Sequence, residues 1–280
     1  MKNLSFSNFM IKIGKNCKIH KSVQIDVQDG KIDDRTVIAE GVKIEGKYVY
    51  IGKESFINRY AYIGGGSFFD EKAKLLTGDW FHMGPNSLID IAQGVEIGHE
   101  VGLGIESKIV THGAYLDSYN LGSPLQWKGV KIGNNVWLPN AWINPGVTIG
   151  NQVIASARSF ITKNIPDNAL IAGSPAEVIK QNYLPRLISK NQKKIIINNI
   201  IHQFFERKEI KNSNEYEINF IEKNEIVFFQ HKNKKTIFNL VKKEITGSSA
   251  NNSNIFKDQL RRNGIRFRFI QNQDNWEPWD

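Results

Sequence analysis

Aliphatic residues recur at every sixth position over long stretches of this chain, with polar residues and glycines between them. Two such runs are Ile51, Ile57, Ile63 and Phe69, and then Ile91, Ile97, Leu103 and Ile109. A period of six differs from the 3.6 of an amphipathic helix and from the alternation of a simple strand. It is typical of a solenoid, in which short strands and tight turns alternate and successive coils stack.

The dipeptide Ile-Gly marks this repeat at positions 13, 51, 63, 97, 132 and 149. The isoleucine is expected to point into the solenoid. Gly, Asn or Asp follows because the turn needs unusual φ values and little bulk. Three strands make one coil, and stacked coils bury a continuous aliphatic column.

The repeat is interrupted in three places. Residues 26–50 drift out of the six-residue frame, residues 113–129 form a polar excursion, and the step from Leu138 to Ile143 is five residues. Long excursions from a rigid scaffold are where binding and catalysis concentrate, so residues 113–129 are of particular interest.

After residue 180 the pattern changes. Residues 184–208 have the apolar spacing of an amphipathic helix, and residues 216–245 predict two or three strands. A short helix at 255–263 and a final strand at 265–270 follow, and the tail after it is expected to be loose unless its tryptophans dock. We therefore predict three parts: a solenoid domain at 1–180, a helical connector at 181–210 and a small basic α+β region at 211–280.

Charge and cysteine content limit the possible partners and the cellular location of the protein. The net charge is +9, and residues 181–280 carry 18 Lys/Arg against 11 Asp/Glu, or +7. This suits either an anionic partner or a solvated face, and no nucleic-acid partner is expected. The one cysteine, Cys17, cannot form an internal disulfide. We find no signal peptide or transmembrane segment, which favours a cytoplasmic protein.

Four motifs occur in order between residues 86 and 180: Asn86, Thr111-His112, the segment VKIGNNVWL at 130–138, and NPGVTIGNQVI at 144–154 with its later ending GSPA at 173–176. This set resembles the galactoside and maltose O-acetyltransferases and the xenobiotic acetyltransferases of the hexapeptide-repeat family. The resemblance implies a mainly β fold, a left-handed parallel β-helix, here followed by a long helix and a small α+β region. It also implies a homotrimer that binds acetyl-CoA between neighbouring subunits.

His112 is the candidate general base. A thioester is already activated, so the acceptor oxygen or nitrogen needs only to lose its proton as it attacks, and histidine suits that task. His112 stands where a strand ends and the excursion begins, and it matches the catalytic histidine of the family by motif and spacing. Neither a metal nor a covalent enzyme intermediate is required.

The resemblance implies roles for five more residues. Asn86 matches an asparagine that stabilises the transition state, although it could equally be a turn residue. Ala157 matches the small residue beside pantetheine, Thr162 and Lys163 match the Thr-Lys that follows it, and Lys180 matches a cation near the nucleotide phosphates. The chain departs from the family pattern at the dipeptide Pro139-Asn140 and at two single residues. Arg158 replaces a common glycine, and Glu177 replaces a basic residue.

These features favour an acetyl-CoA-dependent acyltransferase that acts on a hydroxyl or amine of a sugar or nucleotide-sugar, in surface polysaccharide synthesis. One alternative is acetylation of a small antibiotic or amino acid. Another is a non-catalytic trimeric scaffold whose basic C-terminal region binds a partner. A γ-type carbonic anhydrase shares the β-helix but needs two histidines close together in sequence, and no such pair occurs.

Overall fold

The computed structural model describes residues 10–66, 70–113, 115–249 and 252–279, so Phe69 of the predicted frame lies outside the described residues. The chain divides into two compact units, Met1–Arg186 and Leu187–Asp280.

The first unit is a β-helix with three faces, and parallel pairing joins each strand to the equivalent strand of the next coil. Two nine-residue strands, Gln24–Ile32 and Lys43–Ile51, each run through faces three and one. Face one also contains Met10–Ile13, Lys74–Thr77, Val95–Ile97, Val130–Ile132 and Thr148–Ile149. Face two contains Lys18–Ile19, Val37–Ile38, Phe56–Ile57, His82–Met83, Gly102–Leu103, Trp137–Leu138, Ile154–Ala155, Leu170–Gly173 and the antiparallel Ala176–Lys180. Face three also contains Tyr62–Gly64, Leu88–Asp90, Lys108–Ile109, Trp142–Ile143 and Phe160–Ile161.

One aliphatic column lies behind each face. The face-three column shows the pattern: strand pairing places Ile44, Ile63, Ile89, Ile109, Ile143 and Ile161 in register, and each is fully buried. Burying one such side chain contributes about 1.5–3 kcal/mol, so the columns dominate the stability of the unit. The six-residue repeat and the predicted left-handed parallel β-helix are confirmed.

Residues 26–50 drift out of the six-residue frame as predicted, and the β-helix continues through them. Strand pairing places Ile13 opposite Ile32 and Ile32 opposite Ile51, so these early coils are 19 residues long. The extra residue lies in a long strand that passes from face three to face one without a separate turn. The frame therefore slips by one residue per coil while the stacking continues.

The five-residue step from Leu138 to Ile143 produces a shortened corner. Pro139 and Asn140 form the turn, and Asn140 takes a left-handed φ of 50°, which asparagine tolerates better than most residues. The Asn140 side chain donates a hydrogen bond of 3.0 Å to the backbone carbonyl of Ile105 in the neighbouring coil. This bond stabilises a corner that is one residue shorter than the equivalent corners of the neighbouring coils.

The second unit is a four-stranded antiparallel sheet with two helices. The strands are Tyr216–Ile221, Ile226–His231, Lys234–Asn239 and Glu244–Gly247. The helices are α1, Lys190–Phe205, and α2, Ser253–Arg262, and a 3-10 turn spans Ser213–Glu215. A capping box at Ser189 and Gln192 starts α1. Phenylalanines form much of the core, and the Phe256 ring contacts those of Phe204, Phe229 and Phe238.

Two details of the second unit differ from prediction. The sheet has four strands rather than two or three, and the final strand begins only at Phe269, because Phe267 turns into the core instead. Phe269–Asn272 pairs with Asn275–Pro278 as a hairpin, and Trp279 is buried, so the tail is docked. Neither of the helices in the described ranges is long and apolar enough to cross a bilayer.

Asp258 on α2 accepts hydrogen bonds from Arg207 at 2.9 Å, Arg261 at 2.7 Å and Arg262 at 2.9 Å. Burial alone would raise the pKa of Asp258, but the hydrogen bonds from these arginines outweigh burial and lower the pKa to about 2. The folded pKa is below the unfolded one, so this stabilisation is present above about pH 4 and is lost as the pH falls towards 2.

Asp258→Asn should therefore lower the free energy of unfolding at pH 7 by about 1–2 kcal/mol, a value reduced for partial exposure. Urea unfolding at pH 7 and pH 2.5 measures this, and the difference between variant and unaltered protein should shrink at the lower pH. Asp274→Asn removes the exposed partner of Lys234 and is the control. A deficit for Asp258→Asn that does not change with pH would contradict the prediction.

Candidate active site

His112 begins a two-stranded antiparallel hairpin at the edge where face three ends. Its strand, His112–Gly113, pairs with Gln126–Trp127, so the excursion leaves and returns at the same place. The Trp127 ring stacks on the imidazole with 5.0 Å between centroids and 13° between planes. The hairpin and this stacking fix the direction of the His112 ring.

Asp90 is the buried carboxylate beside His112. It ends the strand Leu88–Asp90, is 5% exposed, and accepts backbone hydrogen bonds from Ala92 at 3.0 Å and Thr111 at 2.9 Å. Its Oδ2 lies 2.8 Å from His112 Nδ1, although the ring is not turned for an ideal hydrogen bond. The contact places Nδ1 on the carboxylate side and leaves Nε2 as the nitrogen available to a substrate.

Asp90 was not predicted from the sequence. The available signal was one acidic residue inside the apolar run LIDIA at 88–92, where a charge is costly to bury unless it has partners. Because strand Leu88–Asp90 pairs with Lys108–Ile109, the two segments that carry Asp90 and His112 are neighbours in space.

A groove of 680 Å³ lies at a different edge, where face two turns into face three. Asn86, Glu106, Asn140 and Arg158 occupy four stacked corners, with left-handed φ values of 55°, 56°, 50° and 62°. Trp142 and Phe160 point outward from face three and form its wall, and Lys108 Nζ lies 4.3 Å from the centre of the Trp142 ring. Ala157 directly precedes Arg158 and is exposed at the same corner.

The structure does not bring Asn86 and His112 together within one chain. Asn86 lies in the corner before the strand Leu88–Asp90, so the length of that strand, roughly 10 Å, separates it from the far end where Asp90 lies. Asn86 therefore lies at the opposite edge of face three from His112, and His112 is not among the described residues that line the groove.

Thr162 and Lys163 lie on the same edge as His112. They follow Ile161, which is two coils from Ile109 in the face-three column, so they are roughly 10 Å further along the axis. Lys163 Nζ lies 2.7 Å from Glu177 Oε1, and both side chains are more than half exposed. Lys180 is exposed at the end of the antiparallel strand Ala176–Lys180, where it pairs with Leu170.

Within the ranges that the structure describes, no group of three or more His, Cys, Asp or Glu side chains is placed to hold a metal ion.

Part of the chain is similar in sequence to known acetyltransferases. The chain is 49% identical over 53 residues to the galactoside O-acetyltransferase of Escherichia coli strain K12, which is 19% of this chain and 26% of that protein. It is 42% identical over 59 residues to a chloramphenicol acetyltransferase of Morganella morganii, which is 21% of this chain and 28% of that protein. The chain thus spans much less than two thirds of the length of these relatives.

Among solved structures, the polySia specific acetyltransferase NeuO superposes with a TM-score of 0.49 and 20% identity, over 73% of this chain and 90% of NeuO. No protein-family model matches the chain. The curated relatives confirm the resemblance to hexapeptide-repeat acetyltransferases that the ordered motifs predicted.

Proposed function

We propose that this protein is an acetyl-CoA-dependent acyltransferase that transfers an acetyl group to a hydroxyl or amine of a sugar or nucleotide-sugar, with His112 as general base. The observation that carries the proposal is the placement of His112. A buried carboxylate, held by two backbone amides, lies 2.8 Å from Nδ1, and a stacked indole fixes the ring. Such a constellation prepares a histidine for proton transfer at Nε2.

In this mechanism the acceptor hydroxyl gives its proton to His112 Nε2 as its oxygen attacks the thioester carbonyl carbon. Asp90 stabilises the imidazolium that forms, because its negative charge lies beside Nδ1. The imidazolium then returns the proton to the leaving sulfur, so His112 ends in its starting state. Asn86 is the candidate donor to the carbonyl oxygen as negative charge develops there.

The chain offers surfaces suited to acetyl-CoA. The groove has an aromatic wall, and the small side chain of Ala157 leaves its corner open to a narrow ligand. Thr162 and Lys163 lie along the edge that carries His112, and Lys180 adds an exposed cation for the phosphates. The ion pair with Glu177 partly neutralises Lys163, so the phosphate contact is weaker than a free lysine would give.

We further propose a homotrimer with its sites between chains. The outward residues of face one include the charged Lys31, Glu96 and Lys131 beside the exposed Leu76, whereas faces two and three expose the larger aromatic side chains of Trp137 and Trp142. Exposed aromatic faces favour association. Because Asn86 and His112 lie at opposite edges of face three, they can share one site only if two chains supply them.

The acceptor class rests on the similarity to the galactoside O-acetyltransferase. The match to a chloramphenicol acetyltransferase favours a second candidate, a small antibiotic acceptor. Thiol release from acetyl-CoA, measured against a panel of sugars, nucleotide-sugars and antibiotics, separates the two. The domain boundaries at residues 180 and 210, the surface-polysaccharide setting and a cytoplasmic location stay predictions from the sequence.

His112→Ala should lower kcat by roughly 10²–10⁴-fold, because the proton acceptor is lost, while the Kd for CoA stays nearly unchanged. Asp90→Asn should give a smaller decrease, because the ring loses its negative partner. Steady-state kinetics and calorimetry measure both, and His20→Ala, a change in an early coil, is the control. Full turnover by His112→Ala would refute the assignment.

Light scattering at micromolar concentration should give about three times the chain mass of 31.9 kDa. Trp137→Glu on face two should reduce this mass, because a charge then replaces the exposed indole. Thr148→Glu places the same charge on face one and should leave the mass unchanged. A single-chain mass for the unaltered protein would contradict the trimer.

Glu177→Gln should tighten CoA binding by roughly 2–5-fold at low salt, because Lys163 is released to meet the phosphates. The gain should shrink at high salt, where exposed charges are screened. Glu96→Gln, which breaks a similar exposed pair with Lys131 on face one, is the matched control. Equal CoA affinity for Glu177→Gln and the unaltered protein at low salt would show that Lys163 does not contact the phosphates.

A further inference from the structure

We propose that the three glycines at residues 64–66 form the acceptor-side wall of the His112 site, and that Tyr62, held by buried Glu45, positions this wall. The inference rests on the proposed function, since it assigns a role to residues beside the proposed general base. Residues 1–85 match none of the ordered motifs, so Gly64 was predicted only as a turn residue of the repeat, and Tyr62, Gly65 and Gly66 were not predicted as site residues.

The glycine segment lies against both members of the His112–Asp90 pair. A Cβ on Gly65, whose φ is 136°, would overlap Asp90 Oδ1. A Cβ on Gly66 would lie 3.9 Å from His112 Nε2, and among the described residues beyond its chain neighbours no other atom lies within 4 Å. Gly65 therefore allows the backbone to approach the carboxylate, and Gly66 keeps space free beside the reactive nitrogen.

Tyr62 fixes the segment through its hydroxyl. The hydroxyl donates to Glu45 Oε2 at 2.7 Å and accepts from the backbone amide of Gly65 at 3.1 Å. Glu45 is 6% exposed, and its other oxygen lies 2.6 Å from Lys43 Nζ. Burial and the bond to Glu45 raise the pKa of Tyr62, so the hydroxyl keeps its proton at neutral pH and can make both bonds.

The wall has a chemical consequence for the acceptor. An acceptor oxygen must reach hydrogen-bond distance of Nε2, about 2.6–3.2 Å, and the space that Gly66 leaves free is an approach to that nitrogen. The backbone of residues 64–66 sets one limit of that space. If the Tyr62 hydroxyl is removed, the wall can shift, and the acceptor is held less closely against His112.

The chain contains a matched control for this arrangement. Tyr50 donates to buried Asp33 at 2.9 Å, and Lys31 pairs with the same carboxylate at 2.9 Å, which repeats the Lys-acid-Tyr group of Lys43, Glu45 and Tyr62. The Tyr50 group lies on face one and has no described contact with Asp90 or His112. Loss of either tyrosine hydroxyl removes one hydrogen bond to a buried carboxylate, and loss of the Tyr62 hydroxyl also removes the bond from the Gly65 amide.

The experiment compares Tyr62→Phe, Gly66→Val and the control Tyr50→Phe in the full-length protein. Tyr62→Phe should lower kcat/KM for the acceptor roughly 10-fold, and Gly66→Val should raise the acceptor KM by at least as much. The KM for acetyl-CoA should stay within about twofold in both, since the wall faces the acceptor. Tyr50→Phe should leave all three constants unchanged.

A second readout needs no turnover. Modification of His112 by diethyl pyrocarbonate, located by peptide mass spectrometry, should be several-fold slower in Gly66→Val, because valine covers Nε2. Unchanged modification in Gly66→Val, or equal kinetic losses in Tyr50→Phe and Tyr62→Phe, would overturn the wall. If the unaltered protein transfers no acetyl group to any acceptor, the proposed function fails, and slower modification would still establish the geometry of the wall.

Discussion

The stacking of aliphatic side chains in three columns is the interaction on which the rest of the first unit depends. Each coil is too short to bury its own apolar residues, so it is stable only between neighbours. The stacked columns also fix the position of every corner along the helix axis, because adjacent strands have a fixed spacing. Polar residues at the corners, such as Asn86 and Asn140, are therefore held in fixed positions although they are not part of the core. Groups that must act together can thus be placed on separate turns.

His112 illustrates how the scaffold supplies orientation. The residue belongs to an excursion, yet both ends of the hairpin are tied to the coil, and Asp90 comes from the coil itself. Asp90 can remain buried because two backbone amides satisfy it, and those amides are available only where the strand ends. The hydrogen bonds from these amides offset the free-energy cost of burying the Asp90 charge, and Asp90 in turn orients the imidazole of His112.

The sequence predicted the solenoid because its period is unlike that of any helix or simple strand, and it predicted His112 because a strand ends there in a recognisable motif. It could not show that residues 26–50 continue the coil, since one added residue per turn hides a six-residue frame. Asp90, Tyr62 and Glu45 were missed for a related reason. Their partners are about one coil away in sequence, and only the register of the strands brings them together. In the second unit, the extent of the last strand depended on Phe267 turning inward, a tertiary preference that local alternation does not report.

Because the coils rise regularly, positions along the edge that carries His112 are evenly spaced. Every group on that edge stands a whole number of strand spacings from its neighbours, so the interval between His112 and Thr162 is counted in turns rather than adjusted continuously. A ligand that spans this edge must match a multiple of about 4.8 Å, and small substitutions cannot alter that interval. Gain or loss of an entire turn would change it in one step, which makes coil number the variable through which such a protein could accommodate molecules of different length.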